Sequence, residues 1–307
     1  MSELSRRRIL AAAFAAPLAA VPPQETLFQA EPLTPPRAFT PGIEGPQCDR
    51  QGYLYAVNYQ KQQTIARVAP DGSTELFLTL PNQSTGNGIV FDRLGRMYIA
   101  DYVEHNVLRV DMASRSISVY CHEPAMNQPN DLAIRSDGTL YASDPAWKRG
   151  DGKLWRIGTD GKAALLGEGL GTTNGIEVSP DEKTLYVNES VQRKVWAFPL
   201  RPDGGVGERR LLRAFTDGSF DGMRCDIDGN LYITRTELGK VIKMSPSGEI
   251  LREIDVLGNG PTNLCFGGTD GRTVYVTERE YGRIVKFRVD RPGLAWLRWR
   301  KAPHSSP

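Results

Sequence analysis

The chain has 307 residues, 31 of them Gly and 21 Pro, with 40% hydrophobic residues and a formal charge of +2. Setting aside residues 1–20, which hold Arg6, Arg7, Arg8 and Glu3, leaves acidic and basic side chains in balance, so the body offers no electrostatic case for nucleic acid. Short apolar runs alternate with turn residues and no long 3.6-residue period is visible, which excludes a helical protein and predicts an all-β domain.

The N-terminus reads Ser5-Arg6-Arg7-Arg8-Ile9-Leu10 and continues into an Ala-rich apolar run. A charged start and a short apolar core predict an export signal over residues 1–21, and the paired arginines resemble the twin-arginine type, which implies a bacterial periplasmic protein. The apolar run is short for a membrane span of about 20 residues, so no stable insertion is expected after signal removal. Residues 22–42, rich in Pro, read as an extended leader, and its strand-like piece at residues 26–30 is expected to close the domain.

From there the chain repeats one phrase. Tyr55, Tyr98, Tyr141, Tyr186, Tyr232 and Tyr275 each close a turn-then-strand motif, at steps of 43 to 46 residues. The second unit shows four strands: 88–91, 97–100, 106–110 and 116–120, with Asp92-Arg93-Leu94-Gly95 as a tight turn. Six such units predict a six-bladed β-propeller over residues 43–290, followed by a tail over 291–307. The last unit has only three strands of its own, so the leader is expected to supply its outer strand.

Counting back 11 or 12 residues from each tyrosine reaches Glu44, Asn87, Asn130, Asn174, Asp221 and Asn263. If the first strand of each blade lines the channel, six carboxylate or amide oxygens converge on one axis. Two close carboxylates are costly without a counter-ion. An all-oxygen set suits a hard divalent cation, Ca²⁺ ahead of Mg²⁺, Mn²⁺ or Zn²⁺. Against this stands a purely structural reading, because Asn-Gly and Asp-Gly are common turn pairs. Glu44 is no usual turn residue, and the identities vary where a structural rule would favour sameness.

Other candidates carry less. Cys48, Cys121, Cys225 and Cys265 form no C-x-x-C pair and fall largely in apolar strands, so buried free thiols are expected. His105, His122 and His304 lie in loops or the tail and read as ordinary surface histidines. Asp226-Ile227-Asp228-Gly229-Asn230 lacks the glutamate and flanking helices of an EF-hand and reads as a strand turn. The tail Leu294-Ala295-Trp296-Leu297-Arg298-Trp299-Arg300-Lys301 is basic and aromatic but short for membrane anchoring, and is expected to be disordered.

The phrases Glu44-Gly45-Pro46, Pro129-Asn130-Asp131, Ser143-Asp144-Pro145, Asn174-Gly175-Ile176, Asp221-Gly222-Met223 and Pro261-Thr262-Asn263-Leu264 together resemble the SMP-30/gluconolactonase/luciferin-regenerating family. The resemblance spans residues 44–288. It implies one divalent metal in the channel held by Glu44, Asn130, Asn174 and Asp221, with Asn87 and Asn263 as channel liners near the substrate. It also implies a monomeric hydrolase that opens a sugar lactone, a gluconolactone for instance, to its hydroxy acid. In such chemistry the metal polarises the ester carbonyl while Asp221 is the catalytic group, as general base to a water or as direct nucleophile. Arg224 is a candidate for substrate hydroxyls or a rim residue, and the insertion Trp147-Lys148-Arg149-Gly150-Asp151 a candidate specificity loop. Rival readings are a phosphotriesterase-like hydrolase at the same metal, a non-catalytic NHL-type binding propeller, and a strictosidine-synthase-like propeller, which would lack this ligand set.

Overall fold

A computed structural model describes residues 25–301, with side chains through Arg298. The expected export signal lies outside the described residues. The described chain forms six four-stranded antiparallel sheets. In chain order the innermost strands are Phe39–Cys48, Gly86–Phe91, Leu132–Ile134, Thr173–Val178, Ser219–Cys225 and Pro261–Gly267, heading blades one to six. Each inner strand packs against the next, and the sixth against the first, so the ring closes around a channel. The first inner strand begins at Phe39, four residues ahead of the expected propeller start.

Alternation along the strands explains why the ring holds. Successive side chains point to opposite faces of a blade, so each blade feeds two of six apolar clusters, one per interface. Tyr55, Ile65, Phe77, Ile89 and Leu108 pack between blades one and two, for example. Tyr141, Leu154, Ile176 and Val187 do so between blades three and four. The repeated tyrosines are packing residues of these interfaces. Two also bond the turn behind them: the Tyr55 hydroxyl donates to Asp49 at 3.0 Å and the Tyr98 hydroxyl to Asp92 at 3.2 Å. All four cysteines are buried and free, and the Cys48 and Cys265 Sγ atoms stand 3.9 Å apart.

The leader does complete blade six, though not where the sequence suggested. Glu31–Pro32 pairs antiparallel with Arg283–Arg288, whereas residues 26–30 form no strand. Phe28 sits at φ 62°, which interrupts the extended backbone, and Pro32 has no N–H to carry the ladder further. The segment is held instead by single bonds, Phe28 N–H to the Arg288 carbonyl at 2.7 Å and Leu33 N–H to the Ile284 carbonyl at 2.9 Å. Phe28 and Ala30 pack on the cluster between blades five and six.

The expected disorder of the tail is overturned for its first part. Leu294–Lys301 is an α-helix that crosses the face of the ring holding the first turn of each blade. Trp296 donates to the Gly268 carbonyl at 3.0 Å and its ring lies on Gly271, where a β-carbon would fall 2.5 Å away. Arg298 reaches the Ile134 carbonyl at 2.9 Å and Glu182 at 3.2 Å, so the helix links blade six to blades three and four. Among the described residues no helix is long and apolar enough to cross a membrane.

Candidate active site

The paired Asn-Gly and Asp-Gly residues are not turns. The ladder between the first and second strands skips at Glu44, between Gly86 and Ile89, between Thr173 and Ile176, between Phe220 and Met223, and between Pro261 and Leu264. In blade three the ladder starts at Leu132, just after Asn130 and Asp131. A bulge frees a residue from pairing and re-aims its side chain; here it turns one polar residue per blade toward the axis.

In four of the six blades the residue beside it is glycine, which makes room for the neighbouring blade. A β-carbon on Gly222 would lie 2.0 Å from Asn263 Oδ1, and one on Gly88 would lie 2.6 Å from Asp131 Oδ1. At Gly45 the backbone itself requires glycine, with φ at +54° and the Asn87 carbonyl oxygen 1.9 Å from where a β-carbon would be. The dipeptide recurs in blades one, two, four and five because a β-carbon there would meet the adjacent inner strand.

Glu44 and Asp221 come together across the mouth of the channel, lining a pocket of about 420 Å³ that also includes Asn87 and Asn130. Burial foremost pushes the Glu44 carboxyl up to about 7; the Gly45 N–H, 2.8 Å from Oε2, pulls it down, and Asp131 pushes it up. Burial and then the Glu44 charge raise Asp221 well above the usual carboxylate range. The two carboxyls are therefore poised to share a proton.

The amides differ in what they offer. Asn174 donates from Nδ2 to the Ser190 hydroxyl at 3.0 Å, which leaves Oδ1 buried without a partner. Asn87 Oδ1 is buried and partnerless too. Asn263 spends its Oδ1 on the Leu264 N–H at 2.8 Å and turns its amide toward Glu44, so it orients a carboxylate and does not line the pocket. Among the described residues no three His, Cys, Asp or Glu side chains cluster as a metal site. The set here is two carboxylates with partnerless amide oxygens, a donor set that fits a hard divalent cation.

Arg224 does not reach this pocket. It runs inward and crosses the channel to blade three, where its two terminal nitrogens donate to Asp131 Oδ2 at 2.8 Å and Oδ1 at 2.9 Å. Burial opposes its charge, but Asp131 outweighs burial and keeps the guanidinium firmly protonated. Below this pair lies a second cavity of about 320 Å³, walled by Gln47, Glu177, Ala295 and Arg298.

Other residues line the mouth, and of these Trp147 alone was singled out in the sequence. Asn58 is buried, donates to the Gly42 carbonyl at 2.6 Å, and leaves Oδ1 without a partner. Tyr102 and Trp147 stand side by side on the wall, their polar groups in hydrogen-bond contact; Trp147 belongs to the insertion expected to be a specificity loop. Arg279 completes the rim. Counting forward would have found two of these, and the Asn174 partner Ser190 as well: Tyr102, Arg279 and Ser190 each lie four residues past a repeat tyrosine. His105 and His122 stay outside the site, His122 Nδ1 being 2.8 Å from Asn106 Oδ1.

Known proteins resemble this chain in sequence and in fold. Residues 43–280 match the family described as SMP-30/Gluconolactonase/LRE-like region. A protein named gluconolactonase from Zymomonas mobilis is 27% identical over 281 residues, covering 80% of this chain and 78% of that protein. A 6-deoxy-6-sulfogluconolactonase from Pseudomonas putida is 33% identical over 169 residues, 53% of this chain and 58% of that one. Among solved structures, a calcium-binding protein, regucalcin, from Agrobacterium tumefaciens superposes with a TM-score of 0.76 at 20% identity, covering 87% and 97% of the two chains, which supports the fold.

Proposed function

From the membership of this chain in the SMP-30/gluconolactonase/LRE family, we propose that it is a lactonase of the gluconolactonase type, a carboxylic ester hydrolase acting on a small-molecule sugar lactone. The observation that carries the reading is the pair Glu44 and Asp221, two carboxyls raised by burial and set among amide oxygens with no partner of their own. The lactonases among its relatives supply the reaction class.

Glu44, Asn130, Asn174 and Asp221 would hold the cation, which we take to be Ca²⁺ from the all-oxygen donors and the calcium-binding relative. When bound, the cation offsets the repulsion of the two carboxylates and polarises the ester carbonyl. Asp221 then accepts a proton from a water as its oxygen bonds to the carbonyl carbon. The bond from that carbon to the ring oxygen breaks, and the proton passes to the ring oxygen, leaving the hydroxy acid. Glu44 is kept in place by the Gly45 N–H and Asn263. Asn87 and Asn58 present acceptor oxygens to substrate hydroxyls.

A proton-release assay on a panel of aldonolactones, with and without chelator, tests the reading. Turnover that chelator abolishes and added Ca²⁺ restores is expected. A protein that binds metal and opens no lactone would overturn it in favour of a binding propeller. The Arg-Arg start and apolar run support export to the periplasm, which fractionation of the expressing cell would check.

A further inference from the structure

We propose that Arg279 makes this site select lactones that carry a second, anionic group, a carboxylate, sulfonate or phosphate, over neutral ones. The proposal rests on the lactonase reading and goes on to the class of lactone. It starts from the charges around the pocket. Its charged side chains are Glu44, Asp221 and Arg279. A bound divalent cation would balance the two carboxylates and leave the guanidinium as the net charge facing a ligand.

Arg279 is placed for this by a rigid turn. Glu278, fully buried just before it, accepts the Gly260 N–H at 3.2 Å, the Glu280 N–H at 2.8 Å and the Tyr281 N–H at 3.0 Å. The Arg279 N–H donates to the Gly260 carbonyl at 2.9 Å. Its stem lies on Gly260, where a β-carbon would come 2.5 Å from Arg279 Cγ. The backbone and the start of the side chain are thus fixed, and the head projects into the mouth.

The head itself is uncommitted. Arg279 makes no side-chain hydrogen bond and no ion pair among the described residues, although Asp221 senses its charge. Neighbouring arginines are tied down: Arg235 to Asp217 at 2.9 Å and over Phe215, Arg283 to the Leu257 carbonyl at 2.6 Å, Arg149 to Asn127 at 2.7 Å. A planar cation with free donors at a ligand mouth matches an oxyanion group bidentately. On the adjoining blade Asn58 Oδ1 lacks a donor, and on the opposite side of the ring Trp147 offers an apolar face. A polyhydroxylated lactone with an acidic end would satisfy both walls.

The test compares kcat/KM for gluconolactone with that for 6-deoxy-6-sulfogluconolactone and for a gluconolactone phosphorylated at its far carbon, all with metal present. The unaltered protein is expected to prefer the anionic substrates at least tenfold. Arg279→Gln should cut that ratio at least tenfold, mainly through KM, and Arg279→Lys should restore part of it. Raising the salt should shrink the preference, because the head is exposed and screened. Equal losses on neutral and anionic lactones would overturn the proposal by placing Arg279 on the shared ester, and no change on either would overturn it as well. A protein that opens neutral lactones alone refutes this selectivity while sparing the lactonase reading; one that opens neither refutes both.

Discussion

Removing the guanidinium that crosses the channel is the sharpest test of how the ligand layer is supported. Arg224 and Asp131 have side chains 5% and 0% exposed and meet through two parallel bonds. Arg224→Met keeps most of the volume but strands the Asp131 carboxylate, whose remaining side-chain partner is the Leu132 N–H at 2.9 Å. Breaking a buried pair by removing one partner costs about 3–5 kcal/mol. At about 2–4 °C per kcal/mol for a domain somewhat smaller than this one, Tm should fall by on the order of 10 °C. Asp131→Leu alone strands the arginine and should cost a similar amount. The double variant replaces the pair by apolar groups and should recover most of the loss, with a coupling of about 2 kcal/mol or more. Urea unfolding of the four proteins in chelator measures this without interference from metal binding. A single variant that loses under about 1 kcal/mol, or a double variant no better than the singles, would refute the view that the pair supports the layer above it.

Asp221→Asn should abolish turnover yet retain measurable metal in a dialysis assay; an active variant would rule out Asp221 as base or nucleophile. Glu44→Gln should weaken metal affinity first, seen as a higher Ca²⁺ concentration for half-maximal rate. Glu44 is also a pH probe: its folded carboxyl stands at about 7, above its ordinary 4.5, so the metal-free fold binds the extra proton. That raised group favours folding below its unfolded value and withdraws the benefit as pH rises towards 7. Metal-free protein should therefore lose stability between pH 5 and 8 (about three pH units) more than Glu44→Gln does, and equal slopes in urea titrations would refute it. Deleting residues 24–32 should lower Tm sharply by exposing the edge of blade six and unpacking Phe28, and an unchanged Tm would show that the edge needs no cover.

The repeat was legible because packing repeats. Each tyrosine marks an interface cluster, and a 43- to 46-residue step can be read without coordinates. The channel residues were legible for a related reason: a polar residue stands at the same address in all six units, with a glycine after it in four. Arg224 was misplaced because it follows Asp221 closely in sequence, while strand alternation sends it to another level of the channel. Asp131, its partner 93 positions away, carried no local sign of the bond. Asn58 was missed because its role depends on a left-handed backbone at φ 64° that no neighbouring glycine announces. The C-terminal helix was missed because its docking partners, Gly268, Gly271 and Ile134, belong to blades far apart in the chain.

Both described ends of the chain lie on one side of the ring. Glu25 bonds Arg272 at 2.7 Å and Arg288 at 2.6 Å, at the start of the strand whose other end carries Arg279. The C-terminal helix crosses the same side. The ring thus has a handle and a working face. A tag, surface linker or fused partner joined directly at Glu25 or after the C-terminal helix starts from the handle, with the disc between it and the mouth. Protein shortened to begin at Glu25 and captured through that end should therefore keep its opening turned toward the bulk solution and admit substrate as freely as it does when unattached.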